Sequence, residues 1–529
     1  MLRLIWITGC MEPIGVIFGN VRAGNFKVAV SASNVQRNEY VQANHKMYGP
    51  VLGQVIKLER ETDVDYDKAS AISGGQKVEF SEKLVGIVDI IGYRDDRGLL
   101  QQPQTPFRAG EVVVKAEQEL VRKVLGMKTE GGSTAYMGLL RGYNIRVNLD
   151  IDELVSRHMA ILSKTGGGKS YTVGVFIEEL MKRLVPVVII DPHGEYSSLM
   201  FPNVSEKDHQ LMGRFSVKPR GYGENISLFA ADTKLNPDAT QVSFDSINPS
   251  EADLMEFIDV SGSANKKLLV DTVRRVKEGK RFYTIEQVLE TLMENPSENK
   301  WPIINKLELY NGMGLFSQTP TRLSDIVKEG QTSIIDLKGC DTDLQETLTN
   351  RIIRKLFEAR KLGKIPPMML VVEEAHNFCP QQGVAKSSVT LRTVAAEGRK
   401  FGLGLCVVTQ RPAKIDKNVL SQCATQIILK LTSPNDLKVI AQSIEGFTEG
   451  MEDDIQGLPI GVALITGSSL SRPMIVEIRV RETKHGGEDI SVISAKGKKE
   501  GTAAVKEAKK AAKEAEKIVE DDAATADSS

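Results

Sequence analysis

The chain is poor in cysteine, carries almost no net charge and has no long apolar run. Its 529 residues include five cysteines, none of which stands in CxxC spacing or beside a histidine cluster. This argues against a disulfide framework and a structural zinc site, and we expect a reducing, cytoplasmic location. The formal net charge is −1, so any contact with nucleic acid has to come from a local basic surface.

No apolar stretch approaches the roughly 20 residues that span a bilayer, so we expect no membrane segment. The first ten residues are too short for a secretory signal and lack a convincing cleavage site, and we expect residues 1–10 to be a leader or a disordered extension. Residues 491–529 are rich in Ala, Lys and Glu. Such a composition cannot build a core, which favours a mobile tail over a DNA-binding or partner-binding arm.

The rest of the chain shows two different patterns of predicted secondary structure. Residues 11–145 contain short strand candidates separated by turn residues, which predicts a small N-terminal β-barrel. Residues 146–490 alternate apolar strands with helices, as a parallel sheet covered on both faces requires. Its strand candidates are residues 158–162, 187–191, 333–337, 368–372, 403–408, 426–431 and 462–465. Helical spacing at about 200–330 predicts an inserted helical subdomain.

A glycine-rich loop stands between a strand and a helix of this second part. Residues 163–170 read SKTGGGKS, and glycines here let backbone N–H groups approach phosphates while the helix N-terminus adds its dipole. We expect Lys169 to reach the β- and γ-phosphates of a nucleoside triphosphate and Ser170 to hold Mg²⁺. The loop departs from the usual pattern because Ser163 replaces the first glycine, and the small side chain should be tolerated.

A pair of carboxylates ends another apolar strand, at Glu373 and Glu374. Beside a phosphate-binding loop, this is the position of the metal-and-water element of a nucleoside triphosphatase. We expect Glu373 to orient Mg²⁺ and Glu374 to polarise the attacking water. Two strand candidates separate this pair from the loop in sequence, which allows an extra strand between the two motif strands, as in a RecA-like ATPase core.

Three further polar residues follow or precede apolar strands. Asp191 ends a strand where ligands collect in open α/β sheets, and it either positions water or metal or serves as a plain turn residue. Gln410 ends another strand, where an amide can sense the γ-phosphate. Arg399 precedes that strand, and it either reaches a neighbouring subunit's site or is a solvated surface residue. Segment 378–388, with Lys386, is either a channel loop or a solvated loop.

As an ordered set, these motifs resemble the HerA family of the FtsK–HerA class of ring ATPases. The matching segments are residues 163–170, 191–196, 373–377, 397–400 and 409–412. The resemblance implies an α/β fold with a RecA-like core, a helical insertion and an N-terminal barrel like the HAS barrel. It also implies Arg399 as a trans-acting arginine finger and Arg157 as a nucleotide contact. The nucleotide-binding set predicted in this way is Arg157, Thr165, Gly166, Gly167, Gly168, Lys169, Ser170 and Tyr171.

The family resemblance implies a homohexameric, ATP-driven translocase or helicase with double-stranded DNA in a central channel. It further implies a NurA-type nuclease docked on the barrels and a role in DNA end resection. Two alternatives stay open. A protein-moving unfoldase would need an aromatic pore-loop pair, which the sequence does not show, and a ring scaffold for a defence effector would not need intact catalytic residues.

Overall fold

The computed structural model describes residues 13–32, 35–258, 262–444, 447, 450–467 and 470–486. The predicted leader at residues 1–10 and the predicted tail at residues 491–529 lie outside the described residues. All the described residues belong to one compact unit that ends at Gly486. Within this unit, the two sequence patterns correspond to two sheets, one in the N-terminal part and one in the rest of the chain.

Six antiparallel strands close into an N-terminal barrel, which confirms the predicted architecture. The strands follow the order β1-β7-β3-β4-β5-β2, and β2 closes the barrel because it pairs with both β1 and β5. Burial alternates along the strands, with Phe26 and Val28 of β2 turned inward. The elements of this part are β1 Pro13–Phe18, β2 Asn25–Val30, β3 Tyr40–His45, β4 Gly49–Thr62, α1 Tyr66–Ser73, β5 Glu82–Arg94, β6 Leu100–Gln101, β7 Val112–Lys115 and α2 Gln118–Leu125.

A twelve-stranded sheet forms the second part. Its elements as far as the insertion are β8 Thr134–Leu140, β9 Arg146–Asp150, α3 Ile151–Arg157, β10 Met159–Leu162, α4 Lys169–Lys182, β11 Val187–Asp191, α5 Glu206–Phe215, β12 Ile226–Ala230, β13 Thr240–Gln241 and β14 Phe244–Asp245. The insertion continues with α6 Glu251–Ile258, α7 Ser263–Lys277, α8 Ile285–Met293, α9 Trp301–Gly312, β15 Phe316–Ser317 and α10 Leu323–Ile326. The remaining elements are β16 Thr332–Asp336, α11 Thr342–Lys361, β17 Met368–Val372, α12 Ala375–Phe378, α13 Ser388–Glu397, β18 Leu403–Thr409, α14 Lys417–Leu420, β19 Thr425–Ile428, α15 Pro434–Ser443, α16 Met451–Gly457, β20 Val462–Thr466 and β21 Met474–Ile478.

The strand order of this sheet is β13-β12-β16-β11-β17-β18-β10-β19-β20-β21-β8-β9. The first eight strands run parallel and the last four pair antiparallel. Side chains of β10 enter two different cores, with Ala160 and Leu162 in one and Met159 and Ile161 in the other. Both faces of the sheet are therefore covered, which explains the continuous apolar strands of the sequence.

One strand lies between β10, which precedes the glycine loop, and β17, which precedes the acid pair. It is not one of the two strand candidates that lie between these motifs in the sequence. Strand β18 pairs with β10 on one side and with β17 on the other. The two candidates that lie between the motifs in sequence, β11 and β16, are on the far side of β17. The expected spacing is present, and the strand that supplies it follows the acid pair in the chain.

Two predicted boundaries differ from the observed arrangement. Strand β8 falls within the range 11–145, yet it pairs with β9 and β21 of the large sheet, and the barrel strands end at Lys115. One of the two partners of β8, strand β21, is at the far end of the chain, so no local pattern reveals that pairing. Within the insertion, α6 to α9 occupy the expected region, whereas β12 belongs to the main sheet.

Candidate functional site

The glycine loop has the geometry that phosphate binding requires. It leaves β10 at the carboxyl edge of the sheet and enters α4 at Lys169, with Gly166 at φ 72° and Gly168 at φ 93°. Residues other than glycine rarely adopt these backbone angles. A Cβ atom at Gly167 would lie 2.2 Å from Ser163 Oγ. The unusual first residue is therefore accommodated inside the loop, where its hydroxyl donates to the Lys164 carbonyl at 2.9 Å.

Lys169 lies between the two predicted acids. Its Nζ donates to Glu373 Oε1 and lies 3.2 Å from Glu374 Oε1. Glu373 is fully buried, and its second oxygen accepts a hydrogen bond from the Tyr196 hydroxyl at 2.7 Å. Glu374 has the left-handed backbone φ of 48°, a conformation that is costly for a residue with a side chain and tends to occur at functional sites. The structure thus brings the loop lysine and both acids together.

Ser170 meets a carboxylate that the sequence analysis missed. Its hydroxyl donates to Glu195 Oε2, and Glu195 follows β11 in the motif that begins at Asp191. The Ser170 hydroxyl and the Glu195 carboxylate are hard oxygen donors of the kind that Mg²⁺ prefers. Both oxygens of Glu373 accept hydrogen bonds, one from Lys169 and one from Tyr196, and the predicted metal contact of Glu373 stays a prediction. Among the described residues, no group of three His, Cys, Asp or Glu side chains forms a closed metal cage, and magnesium sites of this kind do not need one.

Asp191 closes the turn that carries Glu195. Its carboxylate accepts backbone N–H bonds from His193 at 3.2 Å, Gly194 at 2.9 Å and Tyr196 at 3.1 Å. The side chain is fully buried, and this burial raises the pKa of Asp191 to about 7. The contacts are those of a turn-forming residue, and the predicted role in positioning water or metal stays a prediction.

Gln410 lies against the glycine loop, and its predicted role in sensing the γ-phosphate stays a prediction. Its Oε1 accepts a hydrogen bond from the Thr165 hydroxyl. The backbone of the loop is also anchored to the flanking strands, because Ser163 N donates to Thr409 O and Lys164 N to Lys430 O. A shift of the loop would therefore be transmitted to the ends of β18 and β19.

Tyr171 points into the protein. Its hydroxyl donates to Asp208 Oδ2 and accepts from the backbone N–H of Arg481, both at 2.8 Å. Burial raises the pKa of this hydroxyl well above its usual value. The hydroxyl is thus engaged within the fold, and a nucleotide contact by Tyr171 stays a prediction.

Arg157 and Arg399 lie at the opposite edge of the sheet from the glycine loop. Arg157 ends α3 just before β10, and Arg399 lies in the turn Gly398–Phe401 just before β18. A four-residue parallel strand spans about 13 Å, so at least the length of such a strand separates each arginine from the glycine loop. The Arg399 side chain is exposed and has no hydrogen bond or ion pair among the described residues. Neither arginine reaches the nucleotide position of its own chain.

Two residues near the acid pair gain a definite position. His376, which sequence reasoning did not assign, has Nδ1 2.9 Å from Thr409 Oγ1 and 3.2 Å from Glu374 Oε2. Lys386, considered as a channel residue, instead donates to Asp343 Oδ1 at 2.6 Å and to Thr347 Oγ1 at 2.8 Å. Lys386 therefore anchors its loop to α11.

In the part of the chain that the structure describes, no helix is both long enough and apolar enough to cross a bilayer.

Comparison with known proteins points to one family. The model described as "Helicase HerA, central domain" matches residues 135–356. A probable DNA double-strand break repair helicase HerA from Methanocaldococcus jannaschii is 30% identical over 452 residues, which cover 78% of this chain and 88% of that protein. The DNA double-strand break repair helicase HerA from Pyrococcus furiosus is 27% identical, with 91% of this chain and 96% of that protein covered.

Among solved structures, VirB4 of Thermoanaerobacter pseudethanolicus matches with a TM-score of 0.44 and 15% identity, covering 66% of this chain and 97% of that one.

Proposed function

The chain belongs to the HerA family of helicases, and we propose that it is an ATP-driven DNA helicase that translocates on double-stranded DNA in double-strand-break repair. The observation that carries this proposal is the division of the hydrolysis residues between two edges of one sheet. Lys169, Glu374 and Gln410 are at the carboxyl edge, and Arg399 is at the opposite edge. A complete site then requires two neighbouring copies of the chain, as a ring motor does.

Each residue at the carboxyl edge has a role that its position supports. The amides of residues 166–168 and the Lys169 ammonium hold the phosphates of ATP, and Glu374 accepts the proton of the attacking water. Ser170 and Glu373 would hold Mg²⁺, with Glu195 close to Ser170. The metal ion would neutralise charge on the β- and γ-phosphates. Gln410 registers the γ-phosphate and transmits its presence through Thr165 to the loop.

The arginines complete the site of the next subunit. Arg399 stabilises the charge that develops during phosphoryl transfer, a contribution that is large for a trans-acting arginine, and Arg157 contacts the same nucleotide. A closed ring repeats this contact at every interface because a head-to-tail arrangement uses two different surfaces of each copy. We propose a homohexamer with DNA in its central channel.

The barrel is the proposed docking site of a NurA-type nuclease, which would connect the motor to end resection. Three apolar side chains are exposed on its outer wall, Val16 at 40%, Phe18 at 37% and Val112 at 49%. Val16 and Val112 face each other across the β1–β7 pair. A contiguous apolar patch of this kind supports a protein contact on the barrel. Free thiols at the four described cysteines support a reducing, cytoplasmic setting.

The test is the rate of ATP hydrolysis and of strand separation, with and without duplex DNA and with and without a co-purified nuclease, alongside the mass of the assembly. We expect DNA to stimulate hydrolysis and the Lys169→Ala variant to lose it. Stimulation by unfolded protein without stimulation by DNA would favour an unfoldase. An assembly that binds an effector and neither hydrolyses ATP faster on DNA nor moves along it would favour a scaffold.

A further inference from the structure

A polar groove with a volume of about 670 Å³ opens at the carboxyl edge of the sheet, beside the acid pair. It lies between the segments that follow β17 and β18 and the start of α15. The residues that matter for its chemistry are His376, Asn377, Gln381, Arg411, Lys414 and Asn435. None of them belongs to the nucleotide-binding set described above.

The groove presents two unpaired cations. The side chains of Arg411 and Lys414 are exposed, and neither has a hydrogen bond or an ion pair among the described residues. The lining also holds one carboxylate, Asp436, whose Oδ1 accepts the Ala413 N–H at 2.8 Å, so the two cations leave the groove with an excess of positive charge. Guanidinium, ammonium and amide groups along one channel are donors to phosphate oxygens, and they carry no information about base sequence. The groove therefore fits a nucleic-acid backbone.

His376 connects the groove to the catalytic acid. It lines the groove, and its Nδ1 lies 2.9 Å from Thr409 Oγ1 and 3.2 Å from Glu374 Oε2. That carboxylate oxygen is buried and accepts no hydrogen bond in the described part of the chain. The other ring nitrogen, Nε2, also has no partner among the described residues. His376 is thus placed between an unsatisfied catalytic oxygen and an open basic groove.

We propose that this groove binds the phosphate backbone of duplex DNA and that His376 is a positioning residue that couples this binding to Glu374. The inference rests on the proposed function, since it specifies how DNA regulates the ATPase site of the motor. It assigns no proton transfer with ATP or water to His376, whose effect on hydrolysis is exerted through Glu374.

The coupling follows from the single proton of a neutral imidazole. Burial lowers the pKa of His376 below its usual value, nearby Arg411, Lys169 and Lys414 act in the same direction, and Glu374 opposes them. The neutral ring carries one N–H, on either Nδ1 or Nε2. With the proton on Nδ1, the positive end of this N–H lies 3.2 Å from Glu374 Oε2 and stabilises the negative charge of that carboxylate, although no hydrogen bond joins the two groups. A backbone phosphate that accepts from Nε2 holds the proton there instead.

With the proton on Nε2, Nδ1 becomes an acceptor, and the Thr409 hydroxyl at 2.9 Å can donate to it. The Glu374 oxygen is then free to accept the proton of the attacking water. Binding of DNA in the groove therefore increases turnover, and loss of the His376 ring removes this response. Thr409 also accepts the backbone N–H of Arg411 at 3.0 Å, so the relay and the basic residue share one hydroxyl.

The experiment compares ATP turnover of the full chain with and without duplex DNA, in the wild type and four variants. For His376→Ala we expect the stimulation ratio to fall to about 1. His376→Asn keeps an N–H near the position of Nδ1 but lacks the ring edge that faces the groove, and its ratio should also be about 1. For Arg411→Ala with Lys414→Ala, we expect the DNA concentration at half-stimulation to rise about tenfold. The slope of log affinity for DNA against log salt concentration should fall in magnitude by about 2, one for each lost phosphate contact.

Lys417→Ala is the matched control, because Lys417 is exposed near Lys414 but does not line the groove, and it should behave as the wild type. A wild-type stimulation ratio in both His376 variants would overturn the coupling. An unchanged salt dependence in the double variant would contradict binding of the DNA backbone in the groove. If His376→Ala fails to assemble, the His376→Asn ratio decides. A wild-type chain that DNA does not stimulate would instead overturn the proposed function itself.

Discussion

Lys169 and Glu374 form an ion pair, with Nζ 3.2 Å from Oε1, although the proposed mechanism of hydrolysis places them on different parts of the substrate. Both side chains are nearly buried, so the pair is weakly screened by solvent. Binding of ATP has to replace the carboxylates with phosphate oxygens as the partners of Lys169. In the proposed mechanism, the released Glu374 then accepts a proton from water.

The first prediction concerns Glu374→Gln. The amide cannot accept the proton, so we expect turnover to fall about 10²–10⁴-fold. ATP binding should persist or tighten, because a neutral side chain competes less with phosphate for Lys169. A fluorescent ATP analogue measures binding and phosphate release measures turnover. Lys169→Ala is the comparison and should lose both, whereas wild-type turnover in Glu374→Gln would remove this acid from the mechanism.

The second prediction concerns catalysis across subunits. Arg399→Ala should abolish hydrolysis but leave assembly intact, since the side chain is exposed and has no partner among the described residues. Mixing it with Glu374→Gln subunits should restore part of the activity, because some interfaces then combine a wild-type Glu374 with a wild-type arginine. Lys400→Ala, the adjacent exposed residue, is the control. Mixed rings that stay inactive would leave Arg399 without a role in trans.

Residues close in sequence were placed correctly, and residues that meet across the fold were not. The six barrel strands were predicted from short strand candidates between turn residues, and seven of the twelve strands of the large sheet were predicted from apolar runs, because these patterns are local. Lys169 and Glu374 could be paired only because each belongs to a recognised motif. Glu195 was missed, since its contact with Ser170 depends on the turn formed by Asp191.

Two buried arginines also make contacts that could not be predicted from the sequence. Arg479 and Arg481 are almost completely buried in the C-terminal segment, and Arg479 pairs with Glu178 at 2.9 Å and Glu179 at 2.7 Å on α4. These partners are about 300 positions apart in sequence. A charged residue after an apolar strand gives no sign of such burial, because charged side chains are normally exposed.

The third prediction concerns Gly174 on α4. A Cβ atom there would lie 2.5 Å from Cζ of Arg481, whose guanidinium is held by Thr483 at 2.8 Å and by His485 at 3.2 Å. Gly174→Ala should lower the free energy of unfolding by about 1–3 kcal/mol, despite the better helix propensity of Ala. The midpoint of thermal unfolding measures the change. A double-mutant cycle with Arg481→Ala should show coupling between the two positions, and strict additivity would contradict the steric explanation.

The fourth prediction concerns pH and His158. Burial lowers the pKa of His158 to about 4 in the folded chain, from an ordinary value of 6.5, and the nearby Arg399 acts in the same direction. The unfolded chain therefore binds the proton first as the pH falls. The stability that His158 contributes is fully present above about pH 6.5 and is lost as the pH falls through about 4. The shift corresponds to about 3 kcal/mol at most.

His158→Asn isolates this contribution. The side-chain oxygen of Asn can replace Nδ1 as the acceptor of the Leu405 N–H, which lies at 2.9 Å in the wild type. The unfavourable backbone conformation at this position, with φ 57° and ψ 159°, is common to both proteins. Carboxylates titrate in both proteins, so the informative quantity is the difference between the two thermal midpoints at each pH. We expect the wild type to lose stability relative to the variant between pH 6.5 and 4. A constant difference across this range would mean that His158 has the same pKa in the folded and unfolded chains, and that burial does not lower it.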